Sequence, residues 1–421
     1  QYDADKAREA LRVAEADLRK GATPVARTPV RRLFVITRRL SGRNPAHSAE
    51  PVWCKMRGIG RPFRALPRTG EGTMRQWGSG IRRAAAVALV AIAGAAPSAA
   101  SAQDTKVKFQ LDWRFEGPSA LFLLTKAKGY FAQEKLDVEI DAGSGSGNAV
   151  NRVASGTYQM GFADLAAVIE FVGNNPTAPS KPVGVMMLYD STPAAVFSLR
   201  KTGIKSPADL HGKKLGAPVF DAGRRAFPIF VKANKLDASK IAWTTMDPPL
   251  RETMLARGDV DAITGFYFTS LLNLNARGVK DEDIDVMMYP KYGANIYGNA
   301  IIVSDTFMKE KPEAVRGFLR AMTKGIRDVL ADPDGSIRFV KERDALIDEA
   351  LEKRRMRLAI DSAIATPIAK AGGIGGVQPA RLADMVTQVS AAFELKNPVK
   401  PEQVWNAGFL PPKNDRMIFP K

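Results

Sequence analysis

The residues with the clearest capacity to contact a small molecule cluster where a predicted strand gives way to a predicted helix. Ser144, Ser146 and Asn148 lie in the glycine-rich segment 143–148, and their side chains can donate hydrogen bonds to an oxygen atom. The first amides of a helix are unpaired and carry the positive end of its dipole, which suits an oxyanion or a carbonyl group. Asn148 stands where a dinucleotide-binding loop has its third glycine, so that function is not indicated. The alternative is an N-capped loop without a ligand.

Aromatic and basic residues follow three other predicted strands. Trp113 follows the first strand and can stack on a flat ligand group, the alternative being a half-buried core tryptophan. Phe220 precedes a helix that carries Arg224 and Arg225, and either arginine can pair with an anion unless both are solvated surface charges. Tyr267 lies in the aromatic run 266–268, of which two residues are expected in the core. These residues are candidates for a binding site, without any sign of catalysis.

Catalytic and metal-binding side chains are scarce. The chain contains two histidines, His47 and His211, and one cysteine, Cys54. His211 lies in a segment with the composition of a surface turn. The acidic run 332–335 resembles a calcium loop, but a lysine or an arginine stands where the bidentate glutamate belongs, so we interpret it as a turn. The sequence therefore predicts no catalytic residue, no metal site and no cofactor.

The elements that must position the candidate residues form two α/β units in series. Apolar runs that suit strands alternate with helical periodicity, which predicts parallel sheets covered by helices. Crossings between the units are expected at 190–194 and 297–300, residues 312–395 are mostly helical, and the ligand is expected between the units. The predicted strands cover residues 106–111, 137–141, 158–162 and 183–188 in the first unit, then 195–200, 214–217, 241–246, 262–266 and 286–289 in the second, with a return strand at 300–303.

The net charge is concentrated at the beginning of the chain. The 421 residues carry a formal charge of +18, and 45% of them are hydrophobic, which excludes a wholly disordered chain. Residues 1–102 hold 19 basic and 7 acidic residues, and therefore +12 of that charge. The remaining +6 is a mild surface charge, so no nucleic-acid partner is predicted.

A signal peptide accounts for part of that basic region. Met74 and three arginines precede the apolar run 84–96, and Ala100-Ser101-Ala102 has the small residues of a cleavage site. The apolar run is too short to cross a membrane. We expect cleavage after Ala102 and export to the periplasm. Since a signal peptide works at an N-terminus, residues 1–73 are interpreted as an upstream start assigned in error or as added, non-native sequence.

The predicted mature chain begins at Gln103 and contains no cysteine. Disulfide bonds, thiolate catalysis, cysteine-based metal sites and a cysteine-linked lipid anchor are therefore not expected. A monomer is expected.

Several ordered segments between residues 106 and 330 resemble the substrate-binding proteins of nitrate, sulfonate, taurine and thiamine-pyrimidine importers. The resemblance implies a type II periplasmic binding fold, with two α/β lobes joined by two crossover segments and a helical C-terminal tail. It implies that residues 103–193 and 299–421 form the first lobe and residues 194–298 the second. The segments that carry it are Leu111-Asp112-Trp113, 127–131, 134–138, 153–156, 161–164, 192–193, 203–216 and 258–262.

The resemblance also implies a function and a set of contacts. The protein would present a small molecule to a membrane permease powered by an ATPase. Trp113 matches the aromatic residue of the family's first loop, segment 144–148 its ligand-cradling helix start, Asp164 its second strand end and Thr192 its first crossover. Residues 114–118 depart from the Asn/His-rich loop of the thiamine-pyrimidine branch. The ligand therefore stays open among sulfonates, nitrate, carboxylates, pyrimidines and heterocyclic amines.

Two other functions are weighed against transport. The pyrimidine synthases of the same family use iron, histidines and a cysteine-rich stretch, for which the predicted mature chain has one histidine and no cysteine. The ligand-sensing domain of a regulator would need a DNA-binding helix-turn-helix or a membrane anchor, and a signal peptide contradicts a cytoplasmic regulator.

Overall fold

The computed structural model describes residues 104–420, so residues 1–73 and the predicted signal peptide at 74–102 lie outside the described residues. Most predicted strands are present to within two residues of their expected bounds. The strands are β1 (Thr105–Gln110), β2 (Leu136–Asp141), β3 (Met160–Asp164), β4 (Pro182–Met187), β5 (Ala194–Leu199), β6 (Lys214–Gly216), β7 (Ala242–Thr244), β8 (Ala262–Phe266), β9 (Ile284–Met288) and β10 (Asn299–Ser304).

Helices cover both sheets and form the C-terminal region, as expected. The sequence predicts a single helix near 119–134, but the structure has two helices there, because Gly129 takes a left-handed backbone conformation with φ 71° between them. The helices are α1 (Ala120–Ala127), α2 (Tyr130–Gln133), α3 (Ser146–Ala154), α4 (Leu165–Asn174), α5 (Ala222–Ala233), α6 (Arg251–Arg257), α7 (Tyr267–Asn275), α8 (Asp305–Glu310), α9 (Pro312–Ala331), α10 (Pro333–Arg343), α11 (Glu349–Ala359), α12 (Pro367–Gly372), α13 (Pro379–Ala392) and α14 (Pro401–Val404).

The strands form two five-stranded sheets, each the centre of one lobe. The first sheet has the order β2-β1-β3-β10-β4 and the second the order β7-β6-β8-β5-β9. The prediction of parallel sheets was wrong in part: β10 runs antiparallel to β3 and β4, and β5 runs antiparallel to β8 and β9. Each of these two strands follows a crossing from the other lobe. It therefore enters its sheet at the edge where the parallel strands end.

Two crossing segments join the lobes. The chain leaves the first sheet after β4 and returns to it before β10, and the expected crossings at 190–194 and 297–300 overlap these two segments. The segments are bonded to each other, since the Thr192 amide donates to the Ile296 carbonyl at 3.0 Å and the Gly298 amide to the Tyr189 carbonyl at 2.9 Å. The ends of β1, β3 and β8 therefore face a common cleft beside the crossings.

The C-terminal helices pack on both lobes. Helix α9 lies against α1 and α2 of the first lobe, where Phe318 stacks on Phe109 with ring centroids 5.2 Å apart. Helix α11 contacts α7 of the second lobe as well as the turn at Gly117–Ser119 of the first. Within residues 104–420 no helix combines the length and the apolar character that crossing a membrane requires.

Candidate functional site

A cleft between the lobes is lined by residues from both sheets. The cleft has a volume of about 540 Å³, including the part that is open to solvent. The first lobe contributes the loop after β1 and the start of α3, and the second contributes the starts of α5, α6 and α7. The lining residues are Leu111, Asp112, Trp113, Arg114, Glu116, Pro118, Ser119, Phe122, Gly145, Ser146, Phe162, Tyr189, Asp221, Ala222, Arg251, Phe266, Phe268 and Thr269.

Trp113 and Arg251 face each other across this cleft. Trp113 is half-buried in the loop after β1, and the guanidinium carbon of Arg251 lies 4.9 Å from the centroid of its ring. Arg251 is 1% exposed and forms ion pairs with Asp221 and Glu252, both at 2.7 Å. Burial alone would lower the pKa of Arg251, but the two carboxylates outweigh it and raise the pKa above its usual value. Arg251 therefore stays charged and fixed at the centre of the site.

Acidic side chains dominate the first-lobe wall. Burial raises the pKa of Asp112 to about 7, although Asn299 opposes this by donating a hydrogen bond from Nδ2 to Oδ2 at 2.7 Å. Asp164, at the end of β3, does not line the cleft. Burial raises its pKa to about 7 as well, because its hydrogen bonds from backbone amides at the start of α4 compensate only partly. Asp164 Oδ2 and Asn299 Oδ1 are buried without a hydrogen-bond partner. Protonation of Asp112 or Asp164 therefore costs little free energy near neutral pH.

A second ionic cluster ties the cleft to the C-terminal helix α11. Glu116 accepts a hydrogen bond from the Thr269 hydroxyl across the cleft at 2.9 Å and lies 3.6 Å from Arg355. Arg355 is 1% exposed, pairs with Glu352 at 2.8 Å and donates to the carbonyls of Phe268 and Thr269. Arg355 thus joins both lobes to α11.

Aromatic rings form the floor of the cleft. Tyr189 meets Phe162, Phe266 and Phe268 edge to face, with ring centroids 5.1, 6.0 and 5.7 Å apart. Burial raises the pKa of Tyr189 well above its usual value, so its hydroxyl stays protonated. The floor can hold a flat ring but offers few charges to it.

Two of the predicted binding residues, Trp113 and Ser146, line the cleft. Ser146 is buried, and its Oγ accepts a hydrogen bond from the Asp164 amide at 3.0 Å, which fixes the start of α3 against the end of β3. Ser144 is exposed and Asn148 is half-buried, and neither lines the cavity. A ligand role for these residues stays a prediction.

The predicted oxyanion-binding helix start is covered by the second lobe. The Gly147 amide donates to the Phe220 carbonyl at 3.2 Å, and Phe220 itself is 36% exposed at the cleft rim. Gly145, with φ 135°, permits this approach, since a Cβ atom there would lie 2.1 Å from the Phe220 oxygen. One amide expected to hold a ligand is therefore engaged by backbone from the other lobe.

The two predicted arginines lie outside the cleft. Arg224 donates to the Ala217 carbonyl at 2.8 Å and stacks on Trp243 at 4.7 Å, on the far side of α5. Arg225 forms an ion pair with Glu170 of α4 at 2.5 Å and so joins the second lobe to the first. The cation that lines the cavity is Arg251, from a different helix.

Three other sequence candidates occupy structural positions. Thr192 is fully buried in the first crossing, and its Oγ1 accepts from the Ala194 amide. Tyr267 is half-buried at the start of α7 and packs against the core of the second lobe. His211 is half-buried, and its Nε2 accepts from the Asp237 amide at 3.0 Å. Among residues 104–420, no group of three or more His, Cys, Asp or Glu side chains is arranged to hold a metal ion.

Sequence reasoning missed five residues that define the cleft: Asp112, Glu116, Tyr189, Asp221 and Arg251. The first four could have been found, because each follows the end of a strand that points to the cleft. Arg251 begins a helix after two prolines and carries no comparable signal.

Comparisons with known proteins agree with this architecture. A sequence model of the family described as NMT1/THI5 like matches residues 118–336, just over half of the chain. The riboflavin-binding protein RibY of Chloroflexus aurantiacus is 28% identical over 232 residues, which cover 53% of this chain and 63% of RibY. The formylaminopyrimidine-binding protein of Halalkalibacterium halodurans is 22% identical over 308 residues, covering 72% of this chain and 89% of that protein.

A solved structure shows the same fold. The alkanesulfonate-binding protein SsuA from Xanthomonas axonopodis pv. citri, bound to MOPS, aligns with a TM-score of 0.56 at 14% identity. The alignment covers 72% of this chain and 99% of that one. The expected type II periplasmic binding fold, with two lobes, two crossings and a helical C-terminal region, is therefore confirmed.

Proposed function

We propose that this chain, which belongs to the NMT1/THI5-like family, is the periplasmic solute-binding component of an ABC-type importer. It captures a small nitrogen- or sulfur-containing compound between its lobes and delivers it to a permease powered by an ATPase. The observation that carries this proposal is the cleft itself, whose polar and aromatic lining comes from both lobes. Export rests on the predicted signal peptide at 74–102, and the mature protein acts as a monomer.

Within that class, the chemistry of the cleft favours a flat nitrogen heterocycle that carries N–H donors. Trp113 and Tyr189 present aromatic surface, and Asp112 and Glu116 present carboxylate acceptors beside it. The buried cation, Arg251, is already balanced by two carboxylates, so it offers less to nitrate or a sulfonate than an unpaired arginine would. Binding proteins for riboflavin and for formylaminopyrimidine, both flat nitrogen heterocycles, are among the relatives.

The mechanism is closure of the lobes over the ligand. Three contacts cross the cleft away from the crossings: Glu116 with Thr269, the Gly147 amide with Phe220, and Arg225 with Glu170. Opening breaks them and admits the ligand, whose contacts with both walls then stabilise the closed form. No step requires a covalent bond to form or break.

A ligand panel tests the proposal. We expect riboflavin or formylaminopyrimidine to raise the melting temperature of the purified protein, because a ligand that binds only the folded state stabilises it. Taurine, ethanesulfonate and nitrate form the comparison set. A rise with the sulfonates or nitrate alone would contradict the heterocycle, and no rise with any nutrient solute would contradict solute binding.

A tryptophan variant locates the binding site. Trp113→Ala should weaken heterocycle binding by about 1–3 kcal/mol, or roughly 10- to 100-fold, if the ring is a desolvated anchor. Trp243→Ala is the matched control, because Trp243 stacks on Arg224 outside the cleft. Isothermal titration measures both dissociation constants. Equal affinities for the wild type and Trp113→Ala would show that the Trp113 ring does not anchor the ligand.

An enzyme of the pyrimidine-synthase type is the alternative function. Its family uses histidines and a cysteine-rich stretch, whereas His211 bonds to a backbone amide away from the cleft and Cys54 lies outside the described residues. No observation on the described residues favours that reaction over binding.

A further inference from the structure

Arg251 is built into the second-lobe wall as a flat, immobile surface. Its guanidinium is held by Asp221 and Glu252, and Glu252 is itself fixed by the Ser270 hydroxyl at 2.8 Å. The guanidinium lies directly on the backbone of β8, since a Cβ atom on Gly265 would come within 2.9 Å of the guanidinium carbon. The same guanidinium carbon lies 4.9 Å from the centroid of the Trp113 ring. The guanidinium thus lies between the backbone of β8 and the indole of the first lobe.

We propose that Arg251 determines specificity: a planar ring of the ligand inserts between the Trp113 indole and the Arg251 guanidinium. This inference rests on the proposed solute-binding function and names the ligand feature that the site selects. A guanidinium plane stacks on aromatic rings as well as attracting their faces, which a lysine ammonium cannot do in the same way. The walls come from different lobes, so the ring is gripped only when the lobes close.

The width of the slot agrees with this arrangement. Each stacking contact needs about 3.5 Å, so a ring between the two walls requires about 7 Å between them. The present separation of 4.9 Å must therefore widen by about 2 Å. A shift of that size also breaks the 2.9 Å hydrogen bond between Glu116 and Thr269. The ligand-bound form is then slightly more open than the structure described here.

The slot selects by shape and by charge. A saturated, puckered ring cannot contact both walls, and a cationic ring is repelled by the guanidinium, whereas a neutral, flat heterocycle can stack on both walls. At the edge of the ring, Asp112 and Glu116 lie on the first-lobe side and accept N–H groups. The favoured ligand is therefore a neutral aromatic nitrogen heterocycle with donors on one edge.

The test compares Arg251→Lys with wild type, using formylaminopyrimidine and riboflavin as probes in isothermal titration. Lysine keeps the charge between the two buried carboxylates but lacks the plane, so we expect binding to weaken on the order of tenfold or more. Arg277→Lys is the matched control, because Arg277 is exposed and bonds to Thr253 on the outer side of α6. Arg277→Lys should bind like wild type.

A double-mutant cycle separates stacking from a structural role. Because Trp113 and Arg251 already contact each other, the cycle is measured for binding and for the free energy of unfolding. A ring that contacts both walls makes the binding losses from Arg251→Lys and Trp113→Ala non-additive beyond any coupling in stability. Should Arg251→Lys fail to melt cooperatively, the wild type is titrated instead with a saturated, puckered analogue of the pyrimidine probe, which should bind at least about tenfold more weakly because it cannot contact both walls. Equal affinities for the flat and the puckered ring would overturn the inference. Wild-type affinity in a folded Arg251 variant overturns this inference and leaves the proposed function standing. Failure of the wild type to bind either probe overturns both.

Discussion

Replacement of Asp164 by asparagine should stabilise the protein above neutral pH. Asp164 is 1% exposed, and its Oδ1 caps helix α4 by accepting the Ala166 amide at 2.8 Å. Its Oδ2 is buried without a partner, and burial raises the pKa of the side chain to about 7. Asparagine retains the capping oxygen. It also places an amide group opposite Asn299, whose Oδ1 is buried without a partner on the paired strand.

The sign of the effect follows from the direction of the pKa shift. The folded-state pKa of Asp164 lies above the unfolded value of 3.8, so between about pH 4 and 7 the folded protein binds more protons than the unfolded chain. Stability from this group is therefore present at low pH and lost as the pH rises through 7. A rise of about 3 pKa units, at about 1.4 kcal/mol per unit, sets an upper limit of about 4 kcal/mol. We expect about half of that, roughly 2 kcal/mol, because the new amide is also desolvated.

Urea unfolding at pH 5 and pH 8 measures the effect. The advantage of Asp164→Asn over wild type should be larger at pH 8 than at pH 5, and the slope of its stability with pH should be shallower. Some slope remains, because burial also raises the pKa of Asp112 to about 7. Asp137→Asn, at an exposed position of strand β2, is the control and should change neither quantity. Lower stability of Asp164→Asn at pH 8, or an unchanged slope, would show that the pKa of Asp164 is not raised in the folded protein.

Two further substitutions test how the lobes are held. Arg355→Met should lower the free energy of unfolding by about 3–5 kcal/mol, because it leaves buried carboxylates uncompensated, whereas Arg357→Met, at an exposed ion pair, should lower it far less. If urea unfolding shows similar losses of stability for both variants, the buried Arg355 ion pairs do not stabilise the protein more than an exposed pair does. Gly145→Ala should hold the cleft open and weaken ligand binding at least about tenfold, because the methyl group meets the Phe220 carbonyl. Gly156→Ala shares the positive φ in open space and should bind normally; an unchanged radius of gyration and affinity in Gly145→Ala would refute the steric argument.

Much of the fold could be predicted because its signals are local. Strand β8 occupies the predicted residues 262–266. A short apolar run bounded by polar residues is typical of a buried strand, and the sequence pattern therefore places it well. The division of the predicted helix at Gly129 was missed, because a single glycine costs a helix too little for sequence alone to place a break. The direction of β10 was missed because it depends on where the chain re-enters the sheet after the second lobe.

A residue of the candidate site could be predicted only where its position relative to its own strand or helix was enough to place it at the cleft. Trp113 and Ser146 were found because they follow strand ends that must face the cleft. Arg224 and Arg225 were candidates because they lie at the start of a helix that comes after a predicted strand end. Arg224 nevertheless lies outside the cleft. Its guanidinium packs on Trp243, on the other side of its helix.

The sequence by itself determined the two-lobed α/β architecture, the family, and an interlobe cleft with an aromatic residue at its entrance. These follow from periodicity, strand-end residues and ordered segments, which are properties of neighbours along the chain. Only the tertiary structure decided that Arg251 faces Trp113, that half-buried Asp112 and buried Asp164 have raised pKa values, and that Arg355 ties α11 to both lobes. Those contacts join residues far apart in sequence. Their geometry depends on how two lobes close against each other, and no local pattern records it.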